Sequence, residues 1–267
     1  SSSVMAPQIT PNDPDWGEQW YLRQIGAPQA WVTSTGTRNV TVAVIDGGVD
    51  IGHPDLRENI WINLHEQAGN GIDDDGNGFV DDLHGWNFVT KTPDVRPVFT
   101  PIPLEDAWSH GTMVASLIAA KGNDGVGMAG VAWNVRIMPL VVLDAEGSGT
   151  TRQIIQAIRY AVNMGAKVIN LSFVGYDNDA GLDEMIRRAS NAGVVIVAAT
   201  GNDDASKLGT DLDKTPGYPV CSDVDHDAVI GVGGTDALDQ KAPYSNFGKR
   251  CTDLSAPGHS LRVARPS

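Results

Sequence analysis

The chain has 267 residues, 41% of them apolar, and a net charge of −14 from 19 basic and 33 acidic side chains. That length supports one large α/β domain or two small ones, each with an ample core. The acidic balance argues against nucleic-acid binding, which leaves a clustered basic face, and no apolar run reaches the length of a membrane-spanning helix.

Residues 1–19 are polar and Pro-rich and read as an extended N-terminal arm, with 20–267 as one domain. The Ser1-Ser2-Ser3 start, with no signal peptide, is that expected of a mature or trimmed terminus. The first buried strand is 41–45, β-branched and apolar, ending in Asp46-Gly47-Gly48. Residues 56–108 form a long excursion rich in Asp, Asn, Gly, Pro and Trp; such a length without periodicity carries function or needs a ligand to order it.

A regular alternation follows. The spacing predicts a helix over 109–120 with Ser109 as N-cap and a strand over 135–143. An amphipathic helix over 150–164 places Ile154, Ile155, Ile158 and Val162 on one side and ends at Gly165. A strand over 167–173, a helix over 182–192 ended by Gly193, and strands over 194–199 and 228–232 complete the pattern. Strands this apolar, alternating with helices, predict an α/β fold whose mainly parallel central sheet has helices on both faces.

In such sheets reactive groups gather beyond the carboxyl ends of the strands. Asp46 follows the first strand, His110 opens a helix in Ser-His-Gly-Thr, and Asn202 follows the strand 194–199 in Ala-Thr-Gly-Asn. Taken singly, each is an ordinary turn or capping residue. Together they lie in four segments that resemble the subtilisin-like serine proteases over nearly the whole chain. Val42-Ala43-Val44-Ile45-Asp46-Gly47-Gly48-Val49-Asp50 with His53-Pro54-Asp55-Leu56 resembles the aspartate motif, and Ser109-His110-Gly111-Thr112-Met113-Val114-Ala115 the histidine motif. Val197-Ala198-Ala199-Thr200-Gly201-Asn202 resembles the oxyanion-hole segment, and Ser255-Ala256-Pro257-Gly258 the loop that precedes the nucleophile.

The resemblance implies a three-layer sandwich and a serine endopeptidase of protein or peptide substrates, secreted or held in a secretory-pathway vesicle. It assigns the general base to His110, its orientation to Asp46 and the oxyanion donor to Asn202, and it places Ser172, Phe173 and Gly201 along the bound peptide. A serine hydroxyl is a poor nucleophile until an imidazole takes its proton, which is why these residue types occur together. The family's Gly-Thr-Ser nucleophile segment is absent from the nine residues after Gly258. The expectation is therefore a catalytic domain cut before its serine, accompanied by a second chain or by a cleaved propeptide. Three positions depart from the family pattern: Gly47 where Ser or Thr is usual, Met113 where His is common, and Val174 before Gly175 in the substrate-binding strand. They leave open a competing reading, an inactive relative that binds peptides or partners in the same groove. A nucleotide-binding doubly wound protein is excluded, because no Gly-x-Gly-x-x-Gly or Gly-Lys-Ser/Thr loop follows a strand.

Five aspartates lie between 73 and 82, and their mutual repulsion calls for a cation. Asp73, Asp75, Asn77 and Asp81 fall at positions one, three, five and nine of an EF-hand-like spacing, with Gly78 at six; position twelve is His84, so a true EF-hand is not expected. A Ca²⁺ site that orders the excursion is expected there. The resemblance implies a second, shared by Asp55 and the loop holding Asn123 and Asp124. The five other histidines have no metal-ligand spacing. Cys221 and Cys251 are left open as a disulfide or a free pair, since sequence alone does not place their Cβ atoms.

Overall fold

The structure is a computed structural model describing residues 6–99, 107–203, 208–222 and 226–267; the first five residues of the arm and 100–106 of the excursion lie outside the described residues. Its strands are β1 (Thr41–Asp46), β2 (Trp86–Asn87), β3 (Arg136–Val141), β4 (Val168–Leu171), β5 (Val195–Ala199), β6 (Ile230–Thr235) and β7 (Leu254–Pro257). Its α-helices are α1 (Trp20–Gln24), α2 (Ala27–Ala30), α3 (His110–Ala119), α4 (Thr151–Asn163) and α5 (Ala180–Asn191).

The seven strands form one sheet in the order β2-β3-β1-β4-β5-β6-β7, and each neighbouring pair is parallel. Every residue of β1 is buried, because strand alternation sends its apolar side chains to two covered faces. Ala43 and Ile45 join Ala157, Ile158 and Ala161 of α4 and Leu182, Met185 and Ile186 of α5 in the main core. Val42 and Val44 point the other way, against Ala115 and Ala119 of α3. Helices therefore cover both faces, as the subtilisin-like α/β reading requires.

Element ends follow local chemistry. Thr150 accepts from the Gln153 N–H and Gln153 Oε1 accepts from the Thr150 N–H, a capping box that starts α4. Gly165 and Gly193, both at φ +80, end α4 and α5 in left-handed conformation. Ser109 makes no side-chain cap bond to α3, contrary to the sequence expectation, because its backbone (φ −94, ψ −10) is already helical rather than extended. Two strands escaped the sequence reading. β2 has two residues, and β7 is a short, half-exposed edge without an apolar run.

The described part of the arm is fastened to the domain. Asp15 N–H donates to the Gly127 carbonyl, Arg262 reaches the Asp15 carboxylate through two nitrogens at 3.0 Å each, and Trp16, Trp31 and Trp133 form a contiguous aromatic cluster. Cys221 and Cys251 are bonded, with Cα atoms 5.1 Å apart and a sequence separation of 30.

Candidate active site

β1 and α3 meet at glycines. A Cβ on Gly111 would lie 2.2 Å from the Gly48 carbonyl oxygen and 3.2 Å from Asp46 Cβ, so the first turn of α3 presses on the end of β1 only because position 111 lacks a side chain. Gly48 sits at φ +120 and is itself packed against the backbone of residues 95–97. This approach brings Asp46, at the carboxyl end of β1, to His110, the first residue of α3. His110 Nδ1 lies 3.0 Å from Asp46 Oδ1 and 2.9 Å from Oδ2. The Asp46 side chain is 1% exposed and that of His110 39%, so the carboxylate is enclosed while the ring opens to solvent. Gly47 N–H donates to Asp46 Oδ1 at 2.7 Å; the backbone supplies a donor to the carboxylate where position 47 has no hydroxyl to offer.

Asn202 leaves the carboxyl end of β5 after Gly201, at φ +83. Its exposed side chain lines a cavity of about 370 Å³ whose other wall is α3, through Val114, Leu117 and Ile118. Ser172, beyond the end of β4, lines the same cavity, and its Oγ accepts from Asn170 Nδ2 at 2.8 Å. Phe173 turns away, packing against the main core and lining a separate cavity of about 290 Å³ with Val174, Gly175 and Tyr218.

The Asn202 loop has supports that the sequence reading missed. Asn246, 1% exposed, donates from Nδ2 to the Thr200 carbonyl at 3.0 Å and accepts from the Thr210 N–H at 2.8 Å. Its own N–H donates to the Gly201 carbonyl, while Asp203 N–H donates to the Tyr244 carbonyl. The signal was a polar run, Tyr244-Ser245-Asn246, between apolar strands, and it carries no meaning until residues 200–203 lie beside it.

The acidic loop folds around a carboxylate not singled out in the sequence. Oxygens of Glu66, Asp73 and Asp75 lie within 4.8 Å of one another, the one such grouping among the described residues. Glu66 is buried and accepts from the N–H groups of Asp74, Asp75 and Asp81. Asp81 turns instead to the N–H groups of Asn70 and Gly71, and Asn77 Nδ2 donates to Asp75 and Asp82. Asp82 is fully buried and takes a hydrogen bond from Tyr160 of α4 at 2.5 Å. Burial pushes its carboxyl above the usual range and, with Asp82 beside it, pushes the Tyr160 hydroxyl up as well. Asp82 thus anchors the loop to α4, while Glu66, Asp73 and Asp75 present a hard oxygen donor set.

At the other expected site Asp55 reaches the loop after α3. It is 2% exposed; Oδ2 accepts from the Met128 N–H at 3.0 Å, and a Cβ on Gly127 would overlap it at 2.1 Å. The structure adds Asp13, 4% exposed, which accepts from the Asn123 N–H at 2.7 Å. Asp13 Oδ1 and Asp55 Oδ1 are buried without a hydrogen-bond partner, and burial raises both carboxyls above the usual range. Asn123 Oδ1 accepts from the Asn12 N–H and Asp124 Oδ1 from the Val126 N–H. Two orphaned carboxylate oxygens facing one loop fit a hard cation.

Parallel strands, helices on both faces, and an aspartate and histidine brought together beside an asparagine-lined cavity describe the frame of a subtilisin-like hydrolase. Residues 37–266 match the model of the Subtilase family, and the chain belongs to that family. It is 34% identical to thermitase of Thermoactinomyces vulgaris over 97% of this chain and 77% of thermitase. It is also 34% identical to the thermophilic serine proteinase of Bacillus sp. (strain AK1), over 93% of this chain and 51% of that protein. A solved protease structure from Pseudoalteromonas arctica PAMC 21717 superposes with a TM-score of 0.69 at 30% identity, covering 94% of this chain and 73% of that one. The chain thus spans between half and about three quarters of these relatives.

Proposed function

We propose that the chain carries the aspartate, histidine and oxyanion parts of a calcium-stabilised serine endopeptidase, with the nucleophilic serine supplied by a segment or chain outside residues 1–267. The observation that carries this reading is the contact of His110 Nδ1 with the enclosed Asp46 carboxylate at 2.9–3.0 Å. With Nδ1–H held by the carboxylate, Nε2 is the nitrogen that takes the serine proton and returns it to the leaving amine. The buried Asp46 carboxylate, which accepts from the Gly47 N–H, stabilises the imidazolium that forms between those steps. The Asn202 amide donates to the oxyanion of the tetrahedral intermediate. Ser172 and Gly201 flank the bound peptide, and Phe173 supports its outer part.

Calcium held by Glu66, Asp73 and Asp75, and by Asp13 and Asp55, neutralises clustered carboxylates and orders the loops that carry them; it takes no part in acyl transfer. No helix among the described residues is long and apolar enough to cross a membrane. The disulfide and the secreted character of such proteases support release from the cell or into a secretory vesicle.

The test is labelling of the complete protein with a fluorophosphonate, together with peptide hydrolysis. Labelling that disappears in His110→Ala, and a fall in kcat of about 10⁴-fold in Asp46→Asn from the wrong imidazole tautomer, are expected. A folded, calcium-loaded protein that neither labels nor hydrolyses peptides would instead be a peptide-binding relative.

A further inference from the structure

β4 and β5 run side by side as far as Leu171 and Ala198. Beyond that register the two chains part, and the gap between them opens beside Asn202. Gly175 closes the far side through two backbone bonds to Tyr218, at 2.8 and 2.7 Å. The space so framed has Gly201 on one wall and Gly217 on another, two positions without side chains.

Val174 fills it. A Cβ on Gly201 would lie 2.5 Å from Val174 Cγ1, and a Cβ on Gly217 would lie 2.6 Å from Val174 Cγ2. Each methyl is thus seated directly on a glycine backbone. Gly201 and Ser172 line the 370 Å³ cavity and Val174 and Gly175 the 290 Å³ one, so the contact of Val174 with Gly201 joins the walls of the two. The backbone is held at Gly175 by the bridge to Tyr218, so Val174 has χ1 as its one side-chain torsion, and β-branching restricts it.

We infer that Val174 closes the recess beside Asn202 and restricts the substrate residue that donates the scissile carbonyl to small side chains: glycine, alanine or serine. The inference rests on the reading of Asn202 as the donor to that carbonyl. A carbonyl held by Asn202 places its own residue's side chain at the gap behind Gly201, where two methyl groups already stand. One excess methylene in a hydrophobic pocket is rejected by about 10–200-fold, and a benzyl group brings several carbons to the place where the Val174 methyls stand.

The experiment compares kcat/KM of the complete protease on peptides differing only in that residue, alanine against phenylalanine, for the wild type, Val174→Ala and Val174→Gly. The wild type is expected to prefer alanine by about 100-fold. The phenylalanine-to-alanine ratio should rise at least tenfold in V174G and by less in V174A, the milder truncation that keeps the backbone restrained. A wild type that cleaves after phenylalanine as readily as after alanine, or a ratio unchanged in both variants, overturns the inference while leaving the protease reading intact. Asn202→Ala separates the two. A fall in kcat of about 10²–10³-fold on both peptides, as for an oxyanion donor in subtilisin, upholds the placement of the carbonyl. An unchanged kcat sinks that placement and the inference with it.

Discussion

Asp55→Asn tests the cation site proposed beneath the arm. In the wild type Asp55 is 2% exposed and one of its carboxylate oxygens has no partner, so its charge is costly in the absence of a cation. A cation at 100 times its dissociation constant stabilises the folded state by about 2.7 kcal/mol. With an unfolding entropy of about 2.1 cal/mol/K per residue, that is a rise in Tm of about 5 °C for a chain this long. Asn keeps an acceptor for the Met128 N–H but removes the charge that the proposed calcium site needs. The calcium-dependent rise of the wild type, measured by circular dichroism in excess calcium against excess EDTA, should therefore exceed that of D55N by about 5 °C. In EDTA, D55N should melt no lower than the wild type.

The pH dependence has a definite sign. The native-state carboxyls of Asp13 and Asp55 are raised from 3.8 by burial, so the folded state holds protons that the unfolded state has lost. Without calcium these two groups lower stability as pH rises from 3.8 through their raised values. Calcium competes with those protons, and its stabilising effect shrinks as the solution is acidified through the same window. Equal calcium-dependent rises in wild type and D55N, or a wild-type rise that does not shrink on acidification, would refute this account.

Replacing both Cys221 and Cys251 by Ser opens a loop spanning 30 residues of sequence and should lower unfolding free energy by about 3–4 kcal/mol on chain entropy; chemical denaturation of the oxidised wild type and the double variant measures it. Gly111→Ala places a methyl 2.2 Å from the Gly48 carbonyl oxygen and 3.2 Å from Asp46 Cβ, and overpacking of this kind costs about 1–3 kcal/mol. Because the displaced residue adjoins His110, kcat should fall at least tenfold at temperatures where the variant remains fully folded; a variant with wild-type kcat would show that the contact of β1 with α3 does not set the His110 position.

Much of this molecule is local in origin and so was readable along the chain. The apolar run of β1, the amphipathic spacing of α4 and the glycines that end α4 and α5 act on their immediate neighbours, and they specified the α/β alternation without reference to anything distant. The motifs around Asp46, His110 and Asn202 announced the family, because each keeps its chemistry within a few residues. What depended on folding was every relation between segments far apart. The EF-hand-like spacing pointed to Asp73, Asp75, Asn77 and Asp81, and only the folded loop shows that Glu66, from outside the repeat, lies with Asp73 and Asp75. Asp13 reaches the loop after α3, which also bonds Asp55, only because the arm lies along that loop, 110 residues ahead of it. Val174 was visible as a departure from pattern, yet its consequence is steric, and a steric consequence exists only once Gly201 and Gly217 stand on either side of it.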